Sequence, residues 1–500
     1  MGAPNVVGDD VYAIEDFATE AEAMRSMLRT IEHDRREYKL IKDYFHGDHV
    51  LPNVPKTARV EVHEIAKRST MNLIPLLVGI PAQISFIDGY RVGEDLAPPE
   101  WKVWTNSSMA SKQTAAFRTA LKYGNAFLAL EDAHTEKPQI KLLSTSDTVA
   151  YYHDPVNDRF PVYAMTIRYR PSLDNPGLVV FYDDEAVTYF DWHQGAESGD
   201  SEFRNPRRHE HGLPHTPVGR LVCQMDDDGQ VEGVVKPMIP MQDRVNQTAF
   251  DLLVTQTFSS FKVRWASGML GDPVYEEDGI TPKVDADGNQ IYRPLPIDQS
   301  TWITTDDSSA KLGTLDETPL DGFIQSFELA VKHFSVVGQL PPHNLLGPMQ
   351  NISADTLVAA MSQTMRFAHM LKTGWASTIS DLLGLASISM GIRESLEDYE
   401  GEVRWRDMSD HTLAAVVDAL GKAAQMLDVP KKSLWHRYPG VTPGEVQEWH
   451  EAYDEQKLDE MDDLDTPQGA GVRSRANPAQ AQVDNPPPTP LEAFGAPAAV

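Results

Sequence analysis

Between Met241 and Lys262 the chain reads MQDRVNQTAFDLLVTQTFSSFK, in which only Asp243, Arg244, Asp251 and Lys262 are charged. At helical spacing it carries two apolar stripes. One runs through Met238, Met241, Val245, Ala249 and Leu252, the other through Phe250, Leu253, Phe258 and Phe261. A surface helix needs a single stripe, so a helix with two and few charges is wedged between neighbours on both sides. Those neighbours come from its own chain or from other subunits, and any fold for this sequence has to supply them.

Two more helices follow the same logic. Thr318 suits an N-cap and Pro319 the first helical position, and Phe323, Phe327, Val331 and Phe334 then align on one side. Beyond them, GQLPPHNLLGPMQNISADTL from Gly338 carries no Asp, Glu, Lys or Arg until Asp355. Ser353 then caps a third helix with a stripe of Leu357, Met361, Met365, Ala368, Trp375, Ile379, Leu382 and Ala386. Run to Met390, it spans roughly 55 Å at about 1.5 Å per residue. Between the first two helices, residues 263–312 are rich in Gly, Pro and Asp, with short strands at VYEEDG, KVDADGNQIYR and STWITT. The middle one reads as a hairpin.

The N-terminal half reads as helix over 14–44, ended by HGDH, then helix over 59–77 and helix over 101–129 with Tyr123-Gly124-Asn125 closing it. Residues 127–225 change habit to short β-branched and aromatic runs such as PVYAMTIRYR and LVVFYDD, an antiparallel sheet region. A helical module follows VRWRDMSD and ends in the acidic EVQEWHEAYDEQKLDEMDDLD, read as a solvated helical face. The start, 1–13, and the Pro/Ala/Gln-rich tail, 466–500, read as flexible and disordered.

At 500 residues the chain is too long for one core, which implies several domains of about 100–200 residues each. Asp plus Glu outnumber Lys plus Arg by 74 to 44, a net charge of −30 that repels nucleic acid and anionic membrane. If DNA is a partner, charge does not hold it. The single cysteine, Cys223, forms no internal disulfide and fits a reducing cytoplasm. The N-terminus has no basic region followed by an apolar run, so no signal peptide is expected. The apolar run from Leu73 is far shorter than the roughly 18 residues of a membrane span.

There is no GxxxxGKS or GxxxxGKT loop, no GxGxxG turn, no GxSxG elbow and no HExxH, which speaks against a nucleotide motor or a serine hydrolase. His209, His211 and His215 supply three imidazoles, but structural zinc wants four ligands and Cys223 lies in a separate strand. MDDDGQ and VDADGN lack the order of a calcium loop and read as tight turns. No metal and no cofactor is expected.

The order of these parts resembles a portal protein of tailed bacteriophages, siphovirus type, over about residues 14–465. The stretches that carry it are YFHGDHVLP, WKVWTNSSMASKQTAAFRTALKYGNAFLAL, LSTSDTVAYYHDPVNDRFPVYAM, IPMQDRVNQTAFDLLVTQTFSSFKVRWASG, the uncharged loop and VRWRDMSD. The resemblance implies an α+β multi-domain portal fold without catalytic chemistry. Its parts are a mixed wing over 14–233, a stem helix over 234–262, a small β-containing clip over 263–312 and a second stem helix over 313–337. A tunnel loop over 338–353, a long wing helix with its return over 354–402 and a helical crown over 403–465 complete it.

The resemblance further implies a homo-oligomeric ring, commonly a homododecamer, at a capsid vertex of the virion, assembled in the bacterial cytoplasm. Its partners would be double-stranded DNA passing non-specifically, the terminase large subunit, then the head–tail connector, with major capsid protein and scaffold around it and no membrane. Gln339, His343, Asn344, Gln350 and Asn351 would meet DNA without deep electrostatic wells. Leu340, Leu345, Leu346 and Met349 would pack on the adjacent subunit's loop. Met241, Val245, Phe250, Leu253, Phe258 and Phe261 would form the stem interface between subunits. The rival readings are a capsid adaptor or scaffold that forms no ring, and a head-maturation enzyme.

Overall fold

The computed structural model describes residues 19–465 except 94, 96–97, 134, 136, 173, 195–200, 260–263, 268–272, 277–278, 287, 293–310, 315–318, 342–344, 346–353, 398, 407, 409–412, 439 and 442. The chain divides into two compact units, one up to residue 411 and one from 412.

The first unit is layered because its strands are apolar on both faces. In β2 (Asn125–Glu131) all seven residues are buried. Ala126, Leu128 and Leu130 belong to the largest core, while Phe127 and Ala129 belong to another. This is the period-2 alternation of a strand covered on both sides. β2 lies between β3 (Gln139–Leu143) and β9 (Val218–Val222), antiparallel to each. A second antiparallel sheet runs in sequence order through β4 (Thr148–Tyr151), β5 (Tyr163–Tyr169), β6 (Gly177–Tyr182), β7 (Ala186–Gln194) and β8 (Ser201–Glu210). One of its faces, with Ala164, Val180 and Tyr182, packs on Phe127 and Leu143. The other, with Met165, Val179 and Phe181, is covered by Met24, Met27, Leu28 and Ile31 of α1 (Glu20–His46). The Thr19 side chain caps the start of α1 and Gly47, at φ 94°, ends it.

On the far side of the three-stranded sheet sit α5 (Met109–Tyr123) and the long helix α8 (Ala354–Ser389). Ala368, Trp375, Ile379, Leu382 and Ala386 of the expected stripe are buried. Trp375 stacks on Phe117 at 4.5 Å and donates its indole N–H to the carbonyl of Val222 at 2.8 Å. Thr378 donates to the carbonyl of Arg220 at 3.1 Å. α8 thereby covers the free edge of β9, which would otherwise present unpaired backbone groups.

Several expectations need correction. The helix expected over 59–77 is two helices, α2 (Val60–Arg68) and α3 (Ile74–Ile84). The helix expected over 101–129 is α4 (Trp101–Asn106) followed by α5, with a left-handed Ser108 between them, and residues 125–129 belong instead to strand β2. VRW does not open the crown: β14 (Gly401–Trp405) pairs antiparallel with β1 (Ile87–Val92), inside the first unit. The second unit, read as crown from 403, begins at 412 and holds helices Leu413–Met426 and Pro443–Asp465 with Lys431–Leu434 between them. Within it Trp435 meets Trp449, His450 and Tyr453 edge-on, and Val446 is buried.

Candidate functional site

The near-uncharged helix, α6 (Ile239–Ser259), follows a single 3-10 turn at Lys236–Met238. It leads to the two-stranded antiparallel ribbon β12 (Arg264–Ser267) and β13 (Lys311–Thr314), from which α7 (Asp321–Val337) returns and packs along α6. β13 occupies positions expected to open the second stem helix. That helix starts at Asp321, with Leu320 at its cap and no side-chain cap bond. Thr318 lies outside the described residues. In the insert between the ribbon strands, Val284 bridges Gln290 around a turn with Gly288 at φ 84°, the expected hairpin. STWITT lies outside the described residues.

The two halves of α6 differ. In the first, Gln242, Val245 and Asn246 are fully buried. Gln242 takes Leu73 N–H on its amide oxygen at 3.0 Å, and its nitrogen donates to the Met71 carbonyl at 2.6 Å and to the Asn246 amide oxygen at 3.0 Å. Asn246 also accepts from Met71 N–H at 3.1 Å and donates to Nδ1 of His49 at 2.9 Å. His49 in turn donates from Nε2 to the Tyr44 carbonyl at 2.8 Å and stacks on the Tyr44 ring. These amides hold residues 71–73 in place of a helical turn, which is why α2 and α3 are separate. Tyr44 donates its hydroxyl to Asp243 at 2.8 Å. Burial, helped by the Asp243 carboxylate, pushes its phenol up to about 12.

Of the residues expected at a stem interface, Val245 is sealed inside its own chain and Phe250 is buried there too. Met241 packs against the chain's own core. Leu253 is half-buried and Phe258 exposed, whereas Phe261 lies outside the described residues. Val245 is therefore corrected from a contact between subunits to a core residue. The physical reason is the amide network, which draws the first half of α6 against α2 and the segment before α3. Gln242 and Asn246 were not foreseen as important. Their signal is two amides four residues apart in a helix that has almost no charge.

The uncharged loop starts from a built terminus. Gly338 caps α7, and a Cβ there would meet Leu77 Cδ1 at 2.9 Å and the Phe334 carbonyl at 3.0 Å. Gln339 follows in the left-handed region at φ 54°. Leu340 N–H reaches the Ser335 carbonyl at 2.9 Å and Gln339 N–H the Val336 carbonyl at 3.3 Å, the bond pair of a Schellman motif. Ser335 Oγ donates to the Leu340 carbonyl at 2.7 Å, and Thr364 Oγ1 of α8 donates to the Gln339 carbonyl at 2.6 Å. Leu340 is buried in its own chain's core, which does not fit the expected packing on an adjacent loop, and Leu345 is half-buried against that core. His343, Asn344, Leu346, Met349, Gln350 and Asn351 lie outside the described residues.

Among the described residues no three His, Cys, Asp or Glu side chains gather as for a metal ion. His211 is buried, donating to the Asp183 carbonyl and accepting from Leu213 N–H, and His215 stacks on Phe160. The buried Cys223 thiol is pushed up to about 12 by desolvation and the nearby Glu232. No described helix is long and apolar enough to cross a membrane.

The family model "Phage portal protein, SPP1 Gp6-like" matches residues 27–458. The chain belongs to this phage portal protein family. Portal proteins are structural components of the virion. The α+β, multi-domain build of this portal chain agrees with that membership. Among solved structures, a chain from the neck of an empty GTA particle computed with C6 symmetry is 12% identical, with 78% of this chain and 93% of that chain covered at a TM-score of 0.40. A chain from the virion of a native gene transfer agent particle is 12% identical, with 79% and 97% covered at a TM-score of 0.39. No curated protein matches the chain.

Proposed function

We propose that copies of this chain close into a ring at one vertex of a phage head, with α6 and α7 around the lumen and the loop 338–353 reaching into it. Duplex DNA passes through non-specifically during packaging and ejection. The terminase large subunit docks first and the head–tail connector later, with major capsid protein and scaffold around the ring. Assembly takes place in the host cytoplasm and the ring stays in the virion. Family membership supports the general role, and one observation supports the ring. The helix pair is sealed by its own chain on one side, while Ile324, Leu329, Val336 and Val337 of α7 and Phe258 of α6 stay exposed. Large apolar side chains left exposed on neighbouring helices mark a surface that takes a protein partner.

The loop suits passage rather than grip. Its uncharged sequence offers DNA no deep electrostatic well, and a formal charge of −30 per copy discourages adhesion to the walls. Negative-stain imaging and native mass measurement of the purified full chain test the reading. Rings with a central hole are expected, and a monomer or compact dimer at every concentration overturns it.

A further inference from the structure

A cavity of about 370 Å³ opens at the corner between α4 and α5, and Lys112, Lys141 and Arg168 line it with no carboxylate lining it among the described residues. This is unexpected in a chain with 74 acidic and 44 basic residues. Glu131, buried behind the cavity, pairs with both Lys141 and Arg168, which leaves three cations against one carboxylate. The donors are not used up. Among the described residues Lys112 gives one proton, to the Ser107 carbonyl at 2.7 Å, and keeps two. Arg168 donates to Glu131 and Tyr182 from Nη2 alone, so its Nε and Nη1 protons have no acceptor among the described residues. Ser107, itself buried, accepts from Ile140 N–H at 2.8 Å and keeps its hydroxyl proton.

The geometry points to a phosphate-binding site here, built from Lys112, Lys141, Arg168 and the Ser107 hydroxyl. A carboxylate has two oxygens, too few for this many spare donors, whereas a phosphate group presents three or four. The positive start of α5 adds to the same field. Glu131 has a distinct part: it holds Lys141 and Arg168 in place from behind, so the site is formed before the anion arrives. The phosphate belongs either to a free anion such as pyrophosphate or to a nucleic-acid backbone, and the two sources separate by experiment.

Calorimetric titration of the full chain with pyrophosphate at low ionic strength tests the site. Saturable binding is expected, weakened about tenfold or more by Lys112→Glu and by Lys112→Gln to a lesser degree. Lys112 is exposed and its one bond runs to a backbone carbonyl, so both variants fold. Lys283→Glu, in the insert, should leave binding unchanged. A short duplex DNA that displaces pyrophosphate assigns the site to backbone phosphate. Failure to displace assigns it to the free anion. Absence of saturable binding, or equal affinity in Lys112→Glu, overturns the proposal.

Discussion

The indole N–H of Trp375 donates to the backbone carbonyl of Val222 at 2.8 Å, joining the long helix to the open edge of the three-stranded sheet. Trp375→Phe keeps the stacking on Phe117 and leaves that carbonyl without its indole partner. It should lower unfolding free energy by about 1–2 kcal/mol. Trp375→Ala, which also empties a fully buried site, should cost about 3–5 kcal/mol. Denaturant unfolding of the two variants measures the difference, and an unchanged unfolding free energy in Trp375→Phe would mean that the indole bond contributes nothing.

Gln339 holds a left-handed conformation that favours glycine. Gln339→Gly should therefore stabilise the chain by about 0.5 kcal/mol or more, and Gln339→Val should destabilise it by about 1 kcal/mol or more. Thr364→Val removes one hydrogen bond to the Gln339 carbonyl and should cost about 1 kcal/mol. The readout is the thermal midpoint of each variant against the parent chain.

Local pattern made the long helix legible: the stripe expected to Met390 is the helix Ala354–Ser389. The same holds for α1, whose glycine stop stands where HGDH placed it. The errors come from partners distant in sequence. Nothing near Val403 says that Tyr90 is its neighbour across a sheet. The break between α2 and α3 is made by Gln242 and Asn246, about 170 residues away, overriding a helical pattern. At the loop, glutamine stands where glycine usually marks a helix end, so Leu340 reads as loop although it closes the motif.

The pH dependence of stability should have a maximum on the alkaline side of neutrality. Burial, with Lys42 and Arg118 adding to it, lowers the Lys122 amine to about 8, below its ordinary value. Between that value and its unfolded one the unfolded chain holds more protons, so this contribution rises with pH. Burial raises the phenols of Tyr44, Tyr90, Tyr123 and Tyr182 to about 12. Their contribution is complete below the unfolded value of about 10 and is lost as pH climbs through the folded one. Lys122→Met should raise stability at neutral pH and flatten the rise above pH 8, leaving the alkaline fall unchanged. Unfolding curves taken across this range for both proteins check each part.

The two halves of α6 should respond in opposite ways to a new charge. Val245→Asp places an unpaired carboxylate in a site closed by the chain itself, a cost of several kcal/mol. The chain should then unfold or precipitate whatever its oligomeric state. Phe258 and Leu329 are exposed in the single chain, so Phe258→Glu and Leu329→Glu should leave its helical content and thermal unfolding close to the parent. If their faces meet neighbouring copies, the ring instead fails to form, because each closure would bury a charge at every interface. Size-exclusion with light scattering reads assembly while circular dichroism reads the fold. Folded protein without rings is the expected result for both variants, and intact rings from both would show that these residues stay open to solvent in the assembly.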